Sequence, residues 1–128
     1  MLREIVEGAE VALYVSEKLD TVFATPYRAI GLKRDGEIVA GVIFNCFTGN
    51  DIEVTVAGTE FPRAFIRRMG AYCFKDNPCI RITITTEQDH VIDIAHRLGA
   101  ATEGVKRNHF GHNRHGTILG LLKEDWKF

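Results

Sequence analysis

The chain has 128 residues, of which 45% are hydrophobic and 26% charged, and its formal net charge at pH 7 is −1. This length and composition predict a single globular domain, residues 1–128, with a core of its own. The balanced charge argues against a general affinity for nucleic acid or membranes, and no apolar stretch is long enough to span a bilayer.

The N-terminus and the cysteines both predict a cytoplasmic protein. Acidic Glu4 and Glu7 stand where a secretory signal peptide would be basic and then apolar. The cysteines, Cys46, Cys73 and Cys79, are odd in number and fall in predicted strands or helices. We therefore expect reduced thiols that act as small buried hydrophobic groups.

The first third of the chain predicts a helix followed by an antiparallel meander. An apolar stripe runs over residues 4–19, but Gly8 interrupts it, so the helix is better placed at 9–19. Residues 27–33 and 37–44 have the pattern of strands, and the Asp-Gly pair between them favours a hairpin turn. The second strand is apolar nearly throughout, which predicts cover on both faces.

The stretch from 51 to 99 predicts a strand–helix–strand–helix unit. Residues 52–57 and 79–85 alternate apolar and polar side chains, as half-buried strands do. Pro62 suits the first turn of a helix that reaches about residue 74, and a second helix over 88–98 ends at Gly99. A right-handed crossover makes the two strands parallel neighbours. The expected fold class is α/β (α+β), with a mixed sheet.

The chain closes with a predicted hairpin of two strands, 101–110 and 117–122, around a polar loop. His109, His112 and His115 are spaced three apart there, but a hairpin loop does not fix a ligand geometry, and no cysteine or carboxylate lies close by in sequence. We therefore expect a polar loop beside the site and no metal. An intermediate interpretation has this loop contact the substrate through Arg107 and Arg114.

One run of the chain carries a family resemblance: Gln88-x-x-Val91-x-x-Ile94-Ala95-x-x-Leu98-Gly99-Ala100-x-x-Glu103-Gly104. It resembles the C-terminal half of the GNAT acyl-CoA N-acyltransferases, whose usual pattern is Asn-x-x-Ala-x-x-Leu-Tyr-x-x-x-Gly-Phe and then a strand starting near Glu-Gly. The resemblance covers residues 11–128 and implies a GNAT-like fold abbreviated at its N-terminus. There is room for about one helix before the meander, and the family's first strand is expected to be missing or rudimentary.

The resemblance implies an N-acetyltransferase that moves an acetyl group from acetyl-CoA to an amine by direct attack. The amine could belong to a small molecule or to a protein, and a homodimer is left open. Glu53, on the polar face of its strand, would be the catalytic base. The other residues implied by the resemblance would bind the co-substrate through a parted strand edge, a strand–helix turn and a helix start; they are Val54, Thr55, Val56, Gly58, Thr59, Arg63, Arg67, Arg68 and Gln88.

Departures from the family pattern favour an alternative, a non-catalytic binding or structural module that keeps the GNAT scaffold. Gly58 alone remains of the glycine-rich phosphate turn, where Glu60 would repel phosphate and Pro62 has no N–H to donate. The tyrosine that serves the family as general acid falls at Ala95, which has no proton to give. The short N-terminus removes elements that usually wall the acceptor side.

Overall fold

A computed structural model describes residues 2–128. No helix in this part of the chain is long and apolar enough to cross a membrane. The elements in chain order are β1 (Arg3–Glu7), α1 (Ala9–Leu19), β2 (Tyr27–Arg34), β3 (Glu37–Asn45), β4 (Asp51–Gly58), α2 (Arg63–Ala71) with a π-helical turn (Tyr72–Asp76), β5 (Arg81–Thr86), α3 (Asp89–Leu98), β6 (Ala101–Gly111), β7 (Arg114–Leu122) and a final 3₁₀ turn (Lys123–Asp125).

All seven strands form one mixed sheet in the order β1-β2-β3-β4-β5-β7-β6. β4 and β5 pair in parallel, as their connection through α2 requires, and the other neighbours pair antiparallel. The predicted mixed sheet, its strand–helix–strand–helix unit and its closing hairpin are thereby confirmed.

Helices cover the sheet on both faces. α1 lies against β2 and β3, where Gly31 and Gly41 permit close approach: a Cβ on them would lie 2.8 Å from Val11 and 2.7 Å from Val15. On the opposite face α2 and α3 bury the larger core, which includes Phe44 of β3. β3 is therefore covered on both faces, as its apolar sequence predicts.

The N-terminus differs from the prediction. β1 is present as a strand of five residues that pairs antiparallel with β2 along its whole length. Of the two expectations, a missing first strand is therefore wrong, and the strand that is found is short. Gly8 separates the two elements at φ +112, a left-handed conformation that favours glycine. The apolar stripe over residues 4–19 thus belongs to a strand and a helix, and α1 has the bounds 9–19 that the glycine indicated.

The closing hairpin is tighter than the predicted loop. Its turn is reduced to His112 and Asn113, with the strands running up to Gly111 and from Arg114. Asn113 adopts φ 59, and its N–H donates to Oδ1 of Asn108 at 2.9 Å. A short asparagine side chain therefore stabilises a left-handed turn residue where the sequence suggested an open polar loop.

The three cysteines are expected to differ in reactivity. Cys73 and Cys79 are fully buried, and burial raises the pKa of both thiols, whereas Cys46 is exposed. A thiol reagent should therefore label one cysteine in the folded protein and all three in urea. Partial desolvation of the sulfur and the neighbouring Glu53 also raise the pKa of the exposed Cys46, so its labelling should be slow near neutral pH and accelerate as the pH rises. Fast native labelling that survives Cys46→Ser would contradict this.

Candidate functional site

β4 and β5 part in the middle of the sheet. Their parallel ladder ends at the pair Val54 and Ile84. Beyond that pair, β4 continues to Gly58 against β3, and β5 continues to Thr86 against β7. Within the described chain, residues 55–58 therefore have a strand partner on one side and an opening on the other. A parted pair of central strands is what the predicted co-substrate site requires.

Two side chains hydrogen-bond the β4 backbone across this opening. Gln88 donates from Nε2 to the carbonyl oxygen of Val56 at 2.7 Å, and His90 donates from Nε2 to that of Gly58 at 3.0 Å. Because successive strand residues alternate, Thr55 directs its backbone groups to β3, where its register partner is Ile43. Of the predicted docking backbone, Val54 ends the ladder and Val56 faces the opening.

A buried hydroxyl positions Gln88. Thr86, the last residue of β5, is 1% exposed, and its Oγ1 accepts hydrogen bonds from the backbone N–H of Gln88 at 3.0 Å and from its Nε2 at 3.4 Å. Gln88 is the N-cap residue of α3, but its side chain makes no capping hydrogen bond. The amide is therefore directed at β4 and not at the helix that it precedes.

A small apolar cavity of about 50 Å³ lies beneath the opening, between the two parted strands, one side of α3 and Phe61, which precedes α2. Ala95 contributes to its wall, at the position where the family resemblance expects a tyrosine. The ring of Phe61 also lines it and lies 6.3 Å from that of His90, measured between centroids. The remaining lining residues are Val56, Ile84, Val91, Ile94 and Leu98.

The turn from β4 into α2 packs against β3 and hydrogen-bonds to it. Gly58 adopts φ +124, and a Cβ on it would lie 2.4 Å from the carbonyl oxygen of Val39. Thr59 donates its N–H to that same oxygen at 2.9 Å. Glu60 forms an ion pair with Arg34 of β2, while its Oε2 is buried without a hydrogen-bond partner among the described residues. This turn offers fewer backbone donors to an anion than a glycine-rich turn would.

The three predicted arginines of α2 have different surroundings. Arg63, the first residue of the helix, stacks over the ring of Phe128 at 4.9 Å. Arg68 lies 4.0 Å from Glu7 and 3.7 Å from Asp76. Arg67 is exposed and forms no ion pair within residues 2–128. Arg63 and Arg67 are therefore the better placed cations for an anionic ligand at the start of α2.

Glu53 lies on the α1 face of the sheet, one residue before the strands part. Its register partners are Asn45 on β3 and Thr83 on β5. The side chain is 39% exposed, and its Oε1 lies 3.9 Å from Nζ of Lys106 on β6. The result is a water-accessible carboxylate beside the end of the ladder.

The charges next to Glu53 neutralise one another. Asp51 accepts a hydrogen bond from Oγ1 of Thr83 at 2.9 Å and lies 3.5 Å from Nε of Arg81. Arg81 in turn bonds Glu103 at 2.8 Å, and this hydrogen bond, followed by the charges of both carboxylates, raises the pKa of its guanidinium. Glu53 is therefore the carboxylate of this group that is least engaged.

The hairpin histidines do not converge. Nδ1 of His115 accepts the backbone N–H of Asn108 at 3.0 Å, and His109 packs edge-on against Phe110. In the part of the chain that the structure describes, no group of three or more histidine, cysteine or acidic side chains could hold a metal ion. Arg114 pairs instead with Glu87, which ties the hairpin to the end of β5.

Comparisons identify the fold. No family model matches the sequence, and no curated protein matches it significantly. Among solved structures, mutant forms of the spermidine/spermine N-acetyltransferase SpeG from Vibrio cholerae match at TM-score 0.73 and 11% identity, over 96% of each chain. The ribosomal-protein-S18-alanine N-acetyltransferase from Escherichia coli matches at TM-score 0.69 and 12% identity, over 94% of each chain. A probable acetyltransferase matches at TM-score 0.65 and 18% identity, over 80% of this chain and 64% of the other.

The chain accordingly has the fold of the GNAT N-acetyltransferases, as the sequence resemblance predicts. At these identities the similarity establishes the architecture, and the chemistry has to be argued from the site itself.

Proposed function

We propose that the protein is an N-acetyltransferase that uses acetyl-CoA and acts on an amine. The observation that carries this proposal is the early end of the β4–β5 ladder at Val54 and Ile84. A strand edge left open inside a sheet can pair with an extended molecule that bears amides, as the pantetheine arm does. The fold shared with N-acetyltransferases supports the same function.

The residues at the opening fit the pantetheine arm better than the pyrophosphate. The backbone of Val56 faces the opening, and the apolar cavity beneath it suits a methylene chain. At the start of α2, Arg63 and Arg67 would supply positive charge, together with the N–H groups of the first helical turn. Glu60 opposes phosphate, although Arg34 already neutralises part of its charge.

Glu53 is the general base in this proposal. Bound acetyl-CoA would supply a thioester, whose carbonyl carbon the amine attacks directly, so that a C–N bond forms and the C–S bond breaks. Glu53 would accept the proton that the amine loses, directly or through a water molecule, and its Oε1 lies 3.9 Å from Nζ of Lys106. Ala95 cannot protonate the departing sulfur, so this proton would come from solvent.

The acceptor is proposed as an amine that reaches Glu53 from the α1 face. The similar proteins act on spermidine, or on an alanine of a ribosomal protein, and the site here does not select between a small molecule and a protein. A cytoplasmic location, where acetyl-CoA is available, and a homodimer belong to the same proposal. They are supported by the free cysteines and by a dodecameric acetyltransferase of similar fold.

A second candidate is a binding module without acetyl transfer. The observation that favours it is that the carbonyl oxygens of Val56 and Gly58 are already hydrogen-bonded by side chains. The carboxylate of Glu60 at the predicted phosphate turn, and the lack of a proton donor at Ala95, point in the same direction. Both candidate functions are compatible with CoA binding at the opening. Acetyl transfer is expected only for the enzyme, so turnover distinguishes the two.

Calorimetry with CoA, followed by transfer of labelled acetyl groups to a panel of amines, tests the proposal. We expect CoA to bind, and Arg67→Ala to weaken the binding roughly tenfold through loss of a charge-assisted contact. Arg97→Ala, which removes an exposed arginine from the far end of α3, is the matched control and should leave binding unchanged. Absence of binding at millimolar CoA would rule out the acetyltransferase function. Binding of CoA without transfer to any amine would favour the second candidate.

A further inference from the structure

Gln88 and His90 occupy the edge of β4 that the proposed function assigns to the pantetheine arm. We propose that these two side chains form a latch, which closes the acyl-CoA opening in the free protein and competes with pantetheine for the carbonyl oxygens of Val56 and Gly58. This inference rests on the proposed function. It differs from the role that the family resemblance gives Gln88, which is that of a ligand of the co-substrate.

The geometry of the latch reproduces two steps of a strand ladder. Val56 and Gly58 are alternate residues of β4, so their carbonyl oxygens point to the same side. Gln88 and His90 are alternate residues at the start of α3, and they donate to those two oxygens at 2.7 and 3.0 Å. Side chains thus hydrogen-bond the carbonyl oxygens of β4 beyond the end of its ladder at Val54, where a neighbouring strand or an extended ligand would otherwise do so.

No other interaction of these two side chains explains why they reach β4. Gln88 makes no capping bond to α3, and its amide is oriented by the buried hydroxyl of Thr86. His90 is exposed, and the nearby ring of Phe61 lines the cavity below. The cavity below has a volume of about 50 Å³, and the two side chains hydrogen-bond the strand edge above it, which is the edge that a pantetheine arm would occupy.

The latch is weak enough to open. Gln88 is half-buried and His90 is exposed, so water can replace both hydrogen bonds when they break. A neutral hydrogen bond of this kind is worth a factor of roughly two to ten in an equilibrium constant. The latch should therefore lower the affinity for ligands that contain pantetheine, and leave unaffected a ligand that binds at the α2 start alone.

Calorimetry with CoA and with ADP, which lacks pantetheine, tests the latch. Gln88→Ala and His90→Ala should each bind CoA roughly two- to tenfold more tightly than the unaltered protein, with ADP binding unchanged. His96→Ala is the matched control, because His96 is an exposed histidine of the same helix that contacts Thr102 and not β4. If Gln88 is instead a ligand of pantetheine, Gln88→Ala weakens CoA binding, and that result would overturn the latch.

The two proposals fail in different ways. If the unaltered protein binds CoA and neither variant binds it more tightly, the latch is wrong and the acetyl-CoA site stands. If the unaltered protein and both variants all fail to bind CoA, the proposed acetyl-CoA site is wrong, and the latch proposal, which depends on it, is wrong as well. NMR of the ligand-free proteins adds a readout without CoA: the carbonyl carbon of Val56, whose oxygen accepts the hydrogen bond from Gln88, should change its chemical shift in Gln88→Ala and keep it in His96→Ala. An unchanged shift in Gln88→Ala would contradict the latch.

Discussion

Replacing Glu53 by glutamine is expected to lower acetyl transfer about a hundredfold or more, with CoA affinity unchanged. Glutamine keeps the size of the side chain but cannot accept the proton of the amine, and general-base catalysis typically contributes a factor of about 10² to 10⁴. The measurement is kcat/KM for the best amine of the panel near neutral pH. The loss should shrink as the pH approaches the pKa of the acceptor amine, because less of the amine then needs to be deprotonated before it can attack, and solvent can take the proton that is lost after attack.

Glu103→Gln is the matched control for this experiment. Glu103 lies on the same face with nearly the same exposure, 41% against 39% for Glu53, but it pairs with Arg81. Its replacement should change the rate less than about threefold, since exposed ion pairs contribute little. Equal losses in both variants would indicate a general effect of charge on this face. An unchanged rate in Glu53→Gln would remove Glu53 from the mechanism.

The parts of the site that could be predicted from the sequence are those set by local periodicity. Alternation over residues 52–57 fixes which side chains of β4 share a face, and it placed Glu53 on the polar side. The order strand–helix–strand–helix fixes that β4 and β5 are parallel neighbours. That they part came from the family resemblance, because hydrophobic periodicity is the same in a paired strand and an unpaired one. The resemblance did not give the point of parting, and Val54, expected at the open edge, is the last paired residue.

Contacts between distant segments could not be predicted from local pattern. Gln88 and Val56 are 32 residues apart, as are His90 and Gly58, and no feature of the α3 sequence indicates which side chains reach back to β4. His90 was missed for this reason. β1 was missed because its apolar residues continue the period of α1, and its pairing with β2 is a tertiary effect that outweighs the local helical pattern.

Gly58→Ala is expected to destabilise the protein by about 3 kcal/mol or more, if the variant folds at all. A Cβ at this position would lie 2.4 Å from the carbonyl oxygen of Val39 and 2.5 Å from Cα of Ala40. Both are backbone atoms of β3, so the contact can be relieved only by moving the strand. The φ of +124° adds strain for any residue with a side chain. Urea denaturation gives the free energy of unfolding.

Gly49→Ala separates the two causes of this loss. Gly49 also has a positive φ, +96°, but a Cβ there would meet no atom within 4 Å, so its replacement should cost about 1 kcal/mol from strain alone. If Gly58→Ala costs no more than Gly49→Ala, β3 does not require the glycine. A much larger cost assigns Gly58 to the β3–β4 pair, and the phosphate site must then depend on the start of α2, where Arg63 and Arg67 lie.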